Sequence, residues 1–216
     1  MKKHQADFLD FVIKLEALCF GDFMLKSGRQ SPYFFNSGLF NTGANLAVLG
    51  RFYAAAIMDA GLQFDMLFGP AYKGIPLVSA VAIALADQYD FDCPYAFNRK
   101  EVKDHGEGGV IVGAKLRDRV LIIDDVISAG TSVRESVVLI TQAGASVGGV
   151  AIALDRKERG GGDVSAIREV EREFALTVTS IVSFDDVIEY IQQGNAPSFA
   201  NYLSAIKTYR ELYGVS

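Results

Sequence analysis

The residues with the most chemical content are two adjacent carboxylates, Asp124 and Asp125, at the end of the apolar run 120–123. Val126, Ile127, Ser128, Ala129, Gly130, Thr131 and Ser132 follow them, as a short turn of little bulk that leads into a helical pattern. A short continuous apolar run reads as a buried parallel strand. The carboxyl end of such a strand is where open α/β sheets bind ligands. Backbone N–H groups of the turn can close around an anion at the start of the next helix. The paired acids repel a phosphate and suit instead the hydroxyls of a sugar, or a Mg²⁺ with its waters. A ribose 5-phosphate needs both parts. Two acids after an apolar strand also fit a plain buried strand capped by surface charge; the Ala, Gly, Thr and Ser at 129–132 separate the two assignments. A Walker-type loop is excluded because no Gly-Lys-Ser/Thr follows.

Four further places supply cations. Tyr72 and Lys73 lie in the turn after the apolar run 66–69, on the same predicted sheet edge as Asp124. Lys73 can reach a diphosphate there; a solvated turn would carry the same lysine. Residues 99–109 hold Arg99, Lys100, Lys103 and His105, then glycines. A mobile basic loop of this kind can close over a pyrophosphate and exclude water. Glu101, Asp104 and Glu107 lower its charge, so an ordinary solvated loop stays open as an alternative. Lys26 precedes the aromatic pair Phe34 and Phe35 and can hold a flat anionic ring, unless the aromatics are core and Lys26 is surface. Arg156 follows the apolar run 147–154, and arginine grips a carboxylate with two parallel hydrogen bonds.

Taken in order, these segments resemble one family, the bacterial-type orotate phosphoribosyltransferases, and the resemblance covers nearly the whole chain. It is carried by Lys26, Ser27, Gly28, Arg29, Ser31, Pro32, Tyr33 and Phe34, and by Tyr72, Lys73, Gly74, Ile75 and Pro76. The basic loop with Asp104, His105, Gly106, Glu107, Gly108 and Gly109, and the central acids, complete it. The resemblance implies a type I phosphoribosyltransferase fold. It implies transfer of the 5-phosphoribosyl group from phosphoribosyl pyrophosphate to orotate, giving orotidine 5′-phosphate and diphosphate in pyrimidine synthesis. Positive charge builds on the anomeric carbon as diphosphate leaves, so the site must supply cations, with Mg²⁺ assisting. That Mg²⁺ is expected on substrate oxygens and water, not on protein side chains.

The resemblance also implies roles. Orotate would lie against the backbone of Phe34 and Phe35, with Lys26 and Ser128 nearby and Arg156 on its carboxylate. Tyr72, Lys73, Arg99, Lys100, Lys103 and His105 would take the pyrophosphate. Asp124 and Asp125 would hold the ribose hydroxyls, and 126–132 would wrap the 5-phosphate. Lys103, Asp124 and Asp125 form the expected catalytic set. A homodimer is implied, in which the mobile loop of one subunit reaches its neighbour's site. Ser128 stands where the family commonly has threonine; the hydroxyl survives. Two alternatives share the central loop: transfer to a purine base or uracil, and a non-catalytic sensor of phosphoribosyl pyrophosphate. The first gives no reason for an arginine facing a base carboxylate. The second normally carries a nucleic-acid-binding segment, and no basic helix-turn-helix pattern occurs.

The elements that must position these residues are read from periodicity. Helices are predicted over 4–20, 44–60, 75–88, 131–143, 165–174, 184–192 and 197–213. Strands are predicted over 33–36, 66–69, 95–97, 119–124, 147–154 and 176–182, with a long loop over 99–113. The alternation across 66–182 predicts a doubly wound parallel α/β sheet. The first 60 residues do not join this rhythm and are expected to form a mainly helical hood over the ligand edge. One domain of 216 residues is expected, with the hood over about 1–62, the core over 63–185 and C-terminal helices beyond. Net charge is −5 with no Lys/Arg block, which argues against nucleic acid as partner. No apolar run reaches the roughly 18 residues of a membrane span. Cys19 and Cys93 match no metal or redox spacing, and the N-terminal pattern is amphipathic, so a reducing, cytoplasmic location is expected.

Overall fold

The computed structural model describes residues 1–25, 28–103, 109–159 and 164–215, without the side chains of Val102 and Lys103. Lys26, His105 and the Lys103 side chain therefore lie outside the described residues.

The N-terminal region holds helix α1 (Lys3–Lys14), strands β1 (Leu18–Met24) and β2 (Gln30–Phe35), a 3₁₀ turn (Ser37–Leu39) and helix α2 (Gly43–Ala60). The core follows as β3 (Met66–Gly69), α3 (Gly74–Tyr89), β4 (Tyr95–Lys103), β5 (Gly109–Gly113), β6 (Arg119–Ile123), α4 (Thr131–Gln142), β7 (Ser146–Asp155), α5 (Ala166–Phe174) and β8 (Val178–Ser183). Helix α6 (Phe184–Gln192), a 3₁₀ segment (Pro197–Tyr202) and α7 (Leu203–Tyr213) close the chain.

Six strands form one sheet in the order β5-β4-β3-β6-β7-β8. All pairs are parallel except the edge pair β4–β5. Strand β6 is central because its side chains serve two cores. Val120 and Ile122 pack with Val133, Val137 and Ile140 of α4 and with Val170 of α5. Leu121 and Ile123 point the other way, into Leu49, Tyr53 and Ile57 of α2 and Val78 and Val81 of α3. Both faces are covered, so all four residues are fully buried and the strand reads as an unbroken apolar run. Burying each is worth about 1.5–3 kcal/mol, which fixes where the strand stops and the acids begin.

Three predicted elements need correction. The helix over 4–20 ends at Lys14, and 18–24 forms β1, paired antiparallel with β2. Glu16 takes a left-handed φ of 58°, which breaks the helix before the strand starts. The hood is thus two helices plus a two-stranded ribbon. The expected loop over 99–113 is largely strand: 99–103 complete β4 and 109–113 form β5, with Lys103 opposite Gly109. The charged residues 99–101 carry no apolar alternation, and β5 offers only Val110, Ile111 and Val112 between two glycines, too short a run to announce a strand. The last helix is split, because Pro197 opens a 3₁₀ segment rather than α-helix.

Helices α6 and α7 support the hood ribbon from below. Tyr33 of β2 stacks on Phe184 (ring centroids 4.2 Å apart) and meets Tyr209 edge-on at 6.0 Å. Among the described residues, no helix is long and apolar enough to cross a membrane.

Candidate active site

The chain leaves β6 at Asp124 under tight constraint. Asp124 N–H still donates to Ala151 O of β7 (3.1 Å), and Ala153 N–H donates to Asp125 O (2.9 Å). The buried Tyr53 hydroxyl of α2 donates to Asp124 O at 2.7 Å. Each carboxylate then accepts from the next backbone N–H: Asp125 N–H to Asp124 Oδ1 and Val126 N–H to Asp125 Oδ1, both 2.9 Å. With these bonds made, both residues are buried, at 7% exposure each. Burial, reinforced by the neighbouring Asp125 charge, pushes the Asp124 carboxyl up to about 6.

Two distant segments converge on Asp125. Lys73 Nζ donates to its Oδ2 at 2.7 Å and to Ser37 Oγ at 2.9 Å. The Ser37 hydroxyl donates to the same Oδ2. Lys73 ends the turn 70–73, which enters α3 at Gly74. That turn is folded so closely that a Cβ on Gly69 would lie 2.2 Å from Gly74 O. Its far side is held by the buried Asn98 of β4, whose Oδ1 accepts from Ala71 N–H at 2.7 Å.

The turn after the acids reaches α4 through Gly130, at φ 73°. A Cβ there would lie 2.8 Å from Val170 Cγ2, so only glycine fits. Among the described residues, no protein acceptor takes the backbone N–H groups of Ile127, Ser128, Ala129, Gly130, Thr131 or Ser132. Six free donors at the positive end of a helix dipole form an anion cradle. Pro70, Ala71, Tyr72, Lys73 and residues 124–133 line a cavity of about 380 Å³ at this point, within the usual range for small-molecule sites.

The fold therefore gathers Tyr72, Lys73, Asp124, Asp125, Val126, Ile127, Ser128, Ala129, Gly130, Thr131 and Ser132 around one cavity. Phe34, Phe35, Arg99, Lys100 and Arg156 are not in that lining. Lys100 Nζ sits 3.3 Å from Glu135 of α4 at the surface. Phe34 is 39% exposed, and Phe35 packs on the core beside Phe40. Their strand pairs only with β1 among the described residues, and it leads in two residues to Ser37 on Asp125. Arg156 follows β7, which neighbours β6, so it stands at the same sheet edge. Its guanidinium is held by Glu158 and Tyr33.

Ser37, Tyr53, Asn98 and Glu158 were not singled out by the sequence. Tyr53 sits at core helical spacing, and Ser37 and Glu158 lie in polar turns. Asn98 follows the short apolar run 95–97 directly and precedes charged residues, so it too carried no signal.

Residues 37–186 match the family model of the phosphoribosyl transferase domain. A Yersinia enterocolitica protein named orotate phosphoribosyltransferase is 57% identical over 215 residues, with 100% of both chains covered. A Shigella flexneri protein of the same name is 56% identical over 215 residues, again with 100% of both covered. The crystal structure of Francisella tularensis orotate phosphoribosyltransferase superposes with a TM-score of 0.87 at 43% identity, covering 97% of this chain and 100% of that one.

Proposed function

The chain belongs to the phosphoribosyltransferase family, and from that premise we propose that it transfers the 5-phosphoribosyl group of phosphoribosyl pyrophosphate to orotate. The products are orotidine 5′-phosphate and diphosphate, in pyrimidine nucleotide synthesis. The observation that carries this reading is the single cavity that joins six unpartnered amides, two buried carboxylates and Lys73.

The amides of 127–132 receive the 5-phosphate. Ionised Asp124 and Asp125 accept hydrogen bonds from the ribose 2′ and 3′ hydroxyls, which fixes the sugar for in-line attack. Lys73 and the Tyr72 turn face the diphosphate and stabilise the charge that develops on it as the bond to the anomeric carbon breaks. The base approaches from the unpaired edge of β2 at Phe34 and Phe35, with its carboxylate on Arg156. Lys103 and His105 are assigned to the diphosphate, delivered by the neighbouring subunit of a homodimer. Mg²⁺ is the proposed cofactor and would neutralise diphosphate charge. The ion would be held mainly by substrate oxygens and water beside the two acids.

The direct test follows orotate absorbance with phosphoribosyl pyrophosphate, with and without Mg²⁺. Consumption of orotate only in the complete mixture is expected; no consumption, or equal turnover of uracil, would overturn the assignment. Arg156→Ala should raise the KM for orotate by roughly 10- to 100-fold, because a charged hydrogen bond is lost. The KM for phosphoribosyl pyrophosphate should stay within about 3-fold, since Arg156 is outside the lining of the cavity assigned to that ligand. Equal losses for both substrates would remove Arg156 from the base site.

Acidity gives a further check. Asp124 accepts sugar hydroxyls as a carboxylate, so protonation below about pH 6 removes an acceptor. The kcat/KM for phosphoribosyl pyrophosphate should therefore fall about tenfold per pH unit once the pH drops below that value. In Asp124→Asn the acid limb should vanish. A limb that persists unchanged in that variant belongs to another group.

A further inference from the structure

Glu158 touches none of the transferring atoms, yet it is the centre of a half-buried charged cluster on the base side of the site. Its side chain is 13% exposed. Arg156 Nε donates to Glu158 Oε1 at 3.1 Å and to the Tyr33 hydroxyl at 3.0 Å. Arg156 Nη2 donates to the same Oε1 at 2.8 Å. The Tyr33 hydroxyl donates to it as well, at 2.6 Å. Burial holds that hydroxyl well above the ordinary tyrosine range, so it remains a donor. The Arg156 guanidinium carbon also lies 5.1 Å from the centre of the Tyr33 ring. On the far side, Arg29 Nη1 is 3.9 Å from Glu158 Oε2, and Arg29 packs over the Tyr213 ring at 5.0 Å.

The backbone under Glu158 is tied down by the C-terminal segment. Arg159 N–H donates to Tyr213 O at 2.8 Å, and Val215 N–H donates to Lys157 O at 2.9 Å. Glu158 is therefore fixed from below, and it fixes Arg156 in turn.

A guanidinium has five N–H donors in a rigid plane. Glu158 and Tyr33 occupy the Nε side and one hydrogen of Nη2. The Nη1–Nη2 edge keeps two parallel donors, the fork that matches a carboxylate. Two guanidiniums share one carboxylate in this cluster, so positive charge remains in excess for an anionic ligand. An arginine pinned in this way loses little freedom on binding.

We propose that Glu158 is a positioning residue for base recognition: with Tyr33 it grips Arg156 by the Nε side and presents the Nη1–Nη2 edge to the carboxylate of the acceptor base. This rests on the reading of Arg156 as the ligand of that carboxylate. The competing role is a structural ion pair that stabilises the loop without affecting which base is bound.

The test is steady-state kinetics on the full-length enzyme for wild type, Glu158→Gln, Arg156→Ala and the double variant, with melting temperatures alongside. Glu158→Gln should raise the KM for orotate roughly 10-fold, with kcat at saturation and the KM for phosphoribosyl pyrophosphate within about 2-fold. In the Arg156→Ala background, Glu158→Gln should add nothing further to the KM for orotate, because its effect passes through the arginine. An unchanged KM for orotate in Glu158→Gln, while Arg156→Ala raises it, overturns the role of Glu158 and leaves Arg156 in place. An unchanged KM for orotate in Arg156→Ala overturns the underlying reading instead. A lowered melting temperature with equal losses for both substrates identifies a structural pair and also overturns the proposal. If Glu158→Gln does not fold, Tyr33→Phe removes only the bridging hydroxyl and carries the test with the same outcomes.

Discussion

Asp124→Asn is expected to lower kcat/KM for phosphoribosyl pyrophosphate by roughly 10²- to 10³-fold, the usual loss of one preorganised polar group, while making the ligand-free protein more stable. The two effects share a cause. Ionised Asp124 is buried beside Asp125, and its carboxyl is pushed up to about 6. An unfolded aspartate ionises near about 3.9. The folded value is the higher one, so the fold binds the proton more tightly than the unfolded chain does. Stability from this group is fully present below about pH 4 and is lost as pH rises through 6. At neutral pH the charged side chain costs roughly 2–3 kcal/mol. An amide keeps the acceptor for Asp125 N–H and removes the charge. Differential scanning calorimetry at pH 7.5 should show a melting temperature higher by roughly 4–10 °C in a chain of this size. Activity and stability that fall together would show that Asp124 serves the fold rather than the sugar.

Lys103→Ala is expected to lower turnover by roughly 10²- to 10³-fold, with orotate affinity nearly unchanged. Residue 103 ends β4, opposite Gly109, where the edge ribbon projects from the sheet. The cavity lining among the described residues supplies Lys73 and no second lysine or arginine. One cation is a weak match for a diphosphate, so charge from elsewhere is needed. The proposed source is the ribbon of the neighbouring subunit. Mixing inactive Lys103→Ala protein with inactive Asp124→Asn protein tests this directly. Half of the random dimers then hold one intact site, so about a quarter of wild-type activity should return. If the mixture stays as inactive as its components after subunit exchange, the ribbon serves its own subunit.

Much of the fold was readable from the chain because its signals are local. Residues 66–69 and 120–123 are apolar without a break, since helices cover both faces of those strands. Residues 18–24 gave no such signal. Their apolar positions fit a helix about as well as a ribbon, and pairing with 30–35 decided between them. The ribbon at 99–103 and 109–113 was hidden for a related reason. Its first part, 99–101, is charged and shows no alternation, and 109–113 hold only three apolar residues between glycines, so pairing of the two segments was needed to define the strands.

The candidate site divides along the same line. Acids, glycine-containing turn and helix start are contiguous over 124–132, so strand end, anion-binding turn and helix start were legible in the sequence alone, while the left-handed Gly130 packed on Val170 was not. Ser37 and Lys73 meet Asp125 across 88 and 52 residues. Tyr33 meets Glu158 across 125. Those encounters were decided only by the tertiary structure. Periodicity and turn chemistry record what a residue does with its chain neighbours. Which distant turn lands on a carboxylate depends on how the hood and the C-terminal helices pack over the sheet edge, and that is set by many buried contacts acting together.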